Sequence, residues 1–490
     1  MSTSSLGTAR RLDAGGYWPT VIAVAAASMT LPFSVTGAAV ALPDMAADLG
    51  SSVGSAQWML NAFNITFAAL PLAAGSFADR FGRRRVLLTG IALVGAISLL
   101  LPLAPSMSVV DIARAIQGGG AAAVLASGAA VLAHATSGRR RQLAFGILGT
   151  AFGTGLAIGP PAAGALVEAA GWRSVFLLVA ALCVPAWLGA TRAPESRNPG
   201  QPPADLAGLV TFTAGLACLS FAFVQAGTEG WTAPGTLVLL GAAVALVVLF
   251  AVVEVRLAGR AMFDVRLFRR PEFVAVVCQP FTVTLGFVIL LVYLPAYLQG
   301  VGGRSVLASG LLLLPMTAPV LLLPLAAGRL AARTSVRAVL TGASALIVAG
   351  ALLLTTLRSD GSWLELALPL LPFGAGVGLA FGVMDNAAVS TVPVENAGAA
   401  AGIFNTMRIT GESVAVAGAA ALLTTLTAAR LNPGEAATRI AGQAIQGQVD
   451  AAQHAALAGG FTSAFHVLGL VLAALSTVGA VLTYVALRDS

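Results

Sequence analysis

The sequence predicts an all-α polytopic membrane protein with fourteen spans. Three observations carry that expectation: 58% of the 490 residues are apolar and 10% charged, mean hydropathy is +0.90, and the apolar residues form long runs parted by short basic gaps. Soluble globular proteins hold roughly 45–50% apolar and about 25% charged residues. Charge this sparse cannot clothe a water-soluble body of this size. The net charge is +7, and every basic residue is Arg. The Arg residues sit between apolar runs, as membrane proteins carry them, so no nucleic-acid partner is expected.

A helix crossing the hydrocarbon core takes roughly 20 mostly apolar residues. Residues 1–16 are polar and read as a tail; the apolar run after them is too long for a signal-peptide core. Six spans follow at 17–43, 52–77, 86–104, 108–135, 142–168 and 173–191, forming an N-terminal half over 17–191. Residues 192–271 read as a linker that holds two extra spans, 206–226 and 235–255. The C-terminal half, 272–487, has spans at 272–299, 306–329, 338–357, 364–392, 398–427 and 461–487. Its long hydrophilic stretch, 428–460, contains Asn432–Pro433–Gly434, a turn signal, and then an Ala/Gln-rich segment that reads as a short surface helix.

Arg placement orients the chain. With the N-terminus inside, twenty Arg residues fall on inner loops and five on outer ones, so both termini are expected in the cytosol. The cytoplasmic membrane is the expected location, and a monomer the expected state. The three cysteines, Cys183, Cys218 and Cys278, lie inside apolar runs and read as small buried hydrophobes rather than a disulfide framework.

Residues 75–85 carry the strongest motif. Gly75 permits close helix approach, while Asp79 and the Arg cluster of Arg80, Arg83, Arg84 and Arg85 can form a charged latch between helix ends. Orientation alone needs Arg but no acid, and Asp79 therefore favours the latch. An echo follows span 10, where Gly328, Arg333 and Arg337 repeat the Gly and Arg spacing. Two repeated halves would place a substrate site at their interface.

The loop Gly75-Ser-Phe-Ala-Asp79-Arg80-Phe-Gly82-Arg83 resembles the signature loop between helices 2 and 3 of the major facilitator superfamily. Span 4 reads Arg114-Ala-Ile-Gln117-Gly118-Gly119-Gly120, similar to the family's helix-4 motif, whose Arg is linked to proton transfer. An Arg in hydrocarbon is costly and needs an interior partner; Asp111 lies three residues earlier on the same face. A static structural pair is the competing reading. Span 5 carries Gly146, Gly155, Gly159, Pro160, Ala163 and Gly164, resembling the antiporter motif of drug–proton exchangers, with Ala163 in place of one Gly. Small residues let a neighbouring helix come close.

The resemblance covers nearly the whole chain and points to the fourteen-helix drug–proton antiporter subfamily. Its further pieces include Ala41-Leu42-Pro43-Asp44, Gln57-Trp58, Gly171-Trp172-Arg173, Gly230-Trp231, Leu267-Phe268-Arg269 and Pro295-x-Tyr297-Leu298-Gln299. The chain departs from the subfamily at Ser34, where many relatives have an acid, at Phe63, often Tyr, and at Val179, often Asn. The usual span-1 proton site thus lacks its carboxylate. The remaining proton-coupling candidates are Asp385, Glu412, Arg114 and Asp111. Glu412 follows Arg408 by one turn, so a structural pair competes there; Asp385 is the preferred carrier unless it lies at the solvated cytosolic mouth. Asp44 reads as a helix-end residue, and His466 as hydrogen-bonded packing.

No phosphate-binding loop is possible without Lys, and the three His lack ligand spacing with Cys, so neither cofactor nor metal is expected. The expectation is a proton-coupled exporter of a small organic compound, not an enzyme, with protons and the lipid bilayer as its other partners. Few acids favour an amphiphilic or neutral substrate over a polycation. The rival readings are a transporter of another metabolite class and a non-transporting membrane sensor.

Overall fold

Lipid offers the backbone no hydrogen-bond partners, so runs this apolar must satisfy their amides internally as helices. The computed structural model describes residues 14–51, 56, 58–197, 206–256, 269–304, 306–358, 361–430 and 454–487. In chain order the α-helices are α1 (Ala14–Asp48), α2 (Trp58–Ala69), α3 (Pro71–Phe81), α4 (Arg83–Leu100), α5 (Met107–Ala135), α6 (Gly138–Ala170), α7 (Arg173–Ala190), α8 (Leu206–Glu229) and α9 (Pro234–Arg256). They continue as α10 (Pro271–Gly300), α11 (Val306–Leu312), α12 (Leu314–Ala331), α13 (Val336–Leu353), α14 (Trp363–Phe381), α15 (Met384–Ser390), α16 (Ala397–Ala428) and α17 (His454–Ala486).

Among the described residues, twelve helices are long and apolar enough to cross a bilayer, or thirteen when the bent pair α2 and α3 counts as one. Helix α16, 32 residues long, stands where the thirteenth of the fourteen expected spans was read. Some helices outlast their apolar runs: α1 runs on to Asp48 and α17 starts at His454. Two expected spans are divided instead, 306–329 into α11 and α12 and 364–392 into α14 and α15. Span 2 is broken: α2 and α3 meet at 50°. Pro71 opens α3 and brings no N–H to continue the ladder across the break. Prolines alone do not force such a break, since α1 continues through Pro19, Pro32 and Pro43. The surface helix expected within 428–460 lies outside the described residues.

The chain forms two compact units: Met1–Ala204 with Asp385–Asn405, and Asp205–Met384 with Thr406–Ser490. In the first, α1 packs on α6 and α7, α2 and α3 pack on α5, and α4 packs on α5 and α7. Bulk-free surfaces allow this; a Cβ at Gly90 would stand 2.9 Å from the Gly120 carbonyl oxygen of α5. In the second unit α8 pairs with α9, α13 with α14 and α17, α10 with α17, and α12 with α14. Gly374, Gly376 and Gly378 put α14 against the backbone of its neighbours. Cys183, Cys218 and Cys278 are free thiols.

Candidate functional site: the buried charges of the first unit

The loop between α3 and α4 turns at Gly82, whose φ of 117° and ψ of 126° suit glycine. A Cβ there would also meet the Glu195 carboxylate at 2.8 Å. Asp79 and Arg83, one turn apart across this loop, are 0% and 1% exposed. Arg83 Nη2 lies 2.8 Å and its Nε 2.9 Å from Asp79 Oδ1. Asp79 also accepts from the backbone amides of Gly398 at 3.1 Å and Ala399 at 2.9 Å, in the first turn of α16. A carboxylate at a helix N-terminus satisfies amides that have no intrahelical partner and meets the positive end of the helix dipole. Arg83 Nη2 completes the link by donating to the Val394 carbonyl at 2.7 Å.

The close approach is a matter of glycine. A Cβ on Gly75 would overlap the Gly398 carbonyl oxygen, and one on Gly402 would lie 2.5 Å from the Pro71 carbonyl. Gly398, Gly402, Val394 and Glu195 complete a site of which residues 75–85 are the part legible in the sequence. The Gly398-x-x-x-Gly402 spacing is the signal that could have found the first two. Glu195 accepts from the Arg84 amide at 3.1 Å and stands 3.9 Å and 3.8 Å from Arg84 and Arg85. Arg80 is not part of this network; its guanidinium stands 5.4 Å from the Phe81 ring centre.

Deeper in the unit, Arg114 on α5 is 0% exposed. Its Nη1 donates to Gln117 Oε1 at 2.5 Å and to Ser34 Oγ at 3.1 Å. Its Nε faces the Met59 carbonyl at 3.4 Å, and its plane lies 4.2 Å from the Phe63 ring centre. Gln117 continues the chain to Ser98 Oγ at 2.7 Å. The two departures noted in the sequence, Ser34 and Phe63, therefore meet at one cation. The Asp111–Arg114 pair expected from their spacing is not formed; Arg114 is absent from the ion pairs among the described residues, and Asp111 Oδ1 has no hydrogen-bond partner there. Three residues along a helix place two side chains on one face but do not aim them at each other.

The small residues of α6 do bring α1 close. A Cβ at Gly155 would overlap the Met29 carbonyl, and one at Gly159 would overlap Thr36 Oγ1. Gly146 and Ala163 are buried, whereas a Cβ at Gly164 would meet nothing within 4 Å. The helix is continuous through Pro160 and Pro161. At the opposite end of the unit, Asp48 accepts from Trp172 Nε1 at 3.2 Å and pairs with Arg173 at 2.9 Å.

The other candidate acids lie apart from these clusters in sequence. Asp385 is 7% exposed and sits in the first turn of α15, which places it near a helix end. In the second unit Glu412 is half-buried on α16, one turn beyond Arg408. Asp44 is exposed near the end of α1. His466 Nε2 is 2.9 Å from the Leu357 carbonyl, a packing hydrogen bond.

Long spans, a broken helix, buried charge within spans and glycine-lined helix contacts define a polytopic membrane transporter. The chain belongs to the Major Facilitator Superfamily, whose family model matches residues 22–416. It is a transporter, not an enzyme. It is 31% identical to the multidrug resistance protein Stp of Mycobacterium tuberculosis, over 80% of this chain and 73% of that one. It is 33% identical to the puromycin resistance protein pur8 of Streptomyces alboniger, over 84% and 83%. With the multidrug efflux pump LfrA of Mycolicibacterium smegmatis it shares 30% identity, over 84% and 82%. The crystal structure of the human organic anion transporter MFSD10 matches with a TM-score of 0.54 at 17% identity, covering 97% of this chain and 99% of that one. That last likeness bears on the fold alone.

Proposed function

We propose that this chain is a proton-coupled efflux transporter that exports a small organic compound, an antibiotic or related secondary metabolite, across the cytoplasmic membrane by alternating access. Both termini face the cytosol in this reading. The observation that carries it is the Asp79–Arg83 clamp on the amides of Gly398 and Ala399. Helix α16 gives its first turns to one compact unit and, from Thr406, its remainder to the other. A clamp on its start holds one conformational state and must release in another, as a two-state carrier requires. The names of the relatives, which speak of multidrug efflux and puromycin resistance, support export as the direction. Asp385 and Glu412 are the proposed proton carriers, with Arg114 and Asp111 as the accompanying groups of α5.

The test uses inverted membrane vesicles containing the full chain. Puromycin uptake into the vesicles is expected to rise when an inward-acid pH gradient is imposed, and puromycin is expected to draw down that gradient. Uptake that ignores the gradient would refute the coupling. If neither puromycin nor an aromatic acid such as anthracene-9-carboxylate is taken up, the efflux reading itself fails.

A further inference from the structure

Arg114 is a fully enclosed cation, and the groups it touches among the described residues are all neutral. Its Nη1 is committed to Ser34 Oγ and Gln117 Oε1, its Nε to the Met59 carbonyl, and its face to the Phe63 ring. Its Nη2 has no hydrogen-bond partner among the described residues. Guanidinium stays charged under all physiological conditions and offers five N–H donors in a fixed fork. A cation in a span without a counter-charge is among the costliest arrangements a membrane protein can hold. Two places where this chain could have supplied an anion do not do so. Ser34, 3.1 Å away, is a hydroxyl where a carboxylate would reach, and Asp111 does not pair with the guanidinium.

We infer that the missing negative charge comes with the cargo: the exported compound carries a carboxylate or acidic phenol that docks on Nη2 of Arg114. This rests on the efflux reading and makes amphiphilic acids its preferred substrates, ahead of an amine such as puromycin, which probes efflux alone. Two of the four groups around the guanidinium lie on one element. Met59 and Phe63 both lie on α2, which joins α3 at the 50° break. A tilt of α2 about Leu70–Pro71 would withdraw both of these groups from the guanidinium. The aromatic face of Phe63 then offers an apolar wall for the ring system that bears the acid. Energetics favour such cargo in an exporter, since a membrane potential negative inside expels an anion and draws a proton inward.

The test measures binding to the detergent-purified full chain with no gradient, and so is independent of the efflux assay. The probes share one ring: anthracene-9-carboxylate, its methyl ester, and (anthracen-9-ylmethyl)trimethylammonium. Fluorescence anisotropy is expected to show the carboxylate bound at least about tenfold tighter than the ester or the cation, as one charge-assisted hydrogen bond warrants. Arg114→Gln should erase that preference. Ser34→Asp should erase it too, because the new carboxylate would occupy the guanidinium, and it should raise the melting temperature, which a misfolded variant cannot do. Equal binding of all three probes by the wild type, or an undiminished carboxylate preference in Ser34→Asp, would overturn the inference. So would chloride that raises the melting temperature through Arg114 and resists displacement by the carboxylate, since the site would then hold a structural halide. Puromycin efflux that survives while the carboxylate shows no preference would sink this inference and leave the efflux reading standing.

Discussion

Asp79→Asn separates a conformational clamp from a structural ion pair. In the state seen here the Asp79 carboxylate takes Arg83 on Oδ1, the Gly398 amide on Oδ1 and the Ala399 amide on Oδ2, all within 3.1 Å. Asn retains one acceptor oxygen but turns an NH2 group toward donors, so at least one amide and the full charge on Arg83 go unmet. Hydrogen bonds to charged groups contribute about 1.5–3 kcal/mol each, and a buried charge left without its partner costs about 3–5 kcal/mol. Solvent entering the loop offsets part of this, leaving about 3 kcal/mol against the clamped state. That shifts a two-state equilibrium by about a hundredfold. Spin labels at Ser137 and Arg333, exposed residues of the first and second units, report the change by double electron–electron resonance. The expected result is a redistribution of label distances and depressed transport, with abundance near that of the wild type. A distance distribution and an export rate unchanged from the wild type would refute the clamp. Equal losses of abundance and transport would make Asp79 a folding residue instead.

Three further outcomes are expected. Gly155→Ala places a methyl against the Met29 carbonyl and 2.6 Å from Pro32 Cγ, and overpacking of this kind costs about 1–3 kcal/mol; Gly164→Ala meets nothing and should leave the melting temperature unchanged or slightly raised. Equal destabilisation by the two would refute the close α1–α6 contact at Gly155. Single cysteines at Ser137 and at Gln448, the latter outside the described residues, should react with impermeant maleimide from opposite sides of the membrane; labelling from one side rules out fourteen spans. Asp385→Asn and Glu412→Gln should be compared in uphill export and in exchange between equal proton pools. The true carrier loses only the first, a structural residue loses both, and full uphill export by each variant places the proton site elsewhere.

Composition and run length determined the fold class here, because a chain with 10% charge and runs of this length has no soluble solution. Loop Arg counts predict an orientation, and the 75–85 motif marks one half of the Asp79–Arg83 network. The sequence also marked Ser34 and Phe63 as departures, without saying that they meet. What only tertiary structure decided are pairings across long separations. Asp79 reaches Gly398 and Ala399, more than 300 residues away, because Gly75 and Gly402 let α3 and α16 touch backbone to backbone. Arg114 joins Ser34 and Phe63 and not Asp111, because its guanidinium extends across to α1 and α2 while helical spacing fixes only which face a side chain leaves. Hydrophobic periodicity is local and so is written along the chain. The partner of a buried charge depends on which helices pack together, and that follows from the whole bundle.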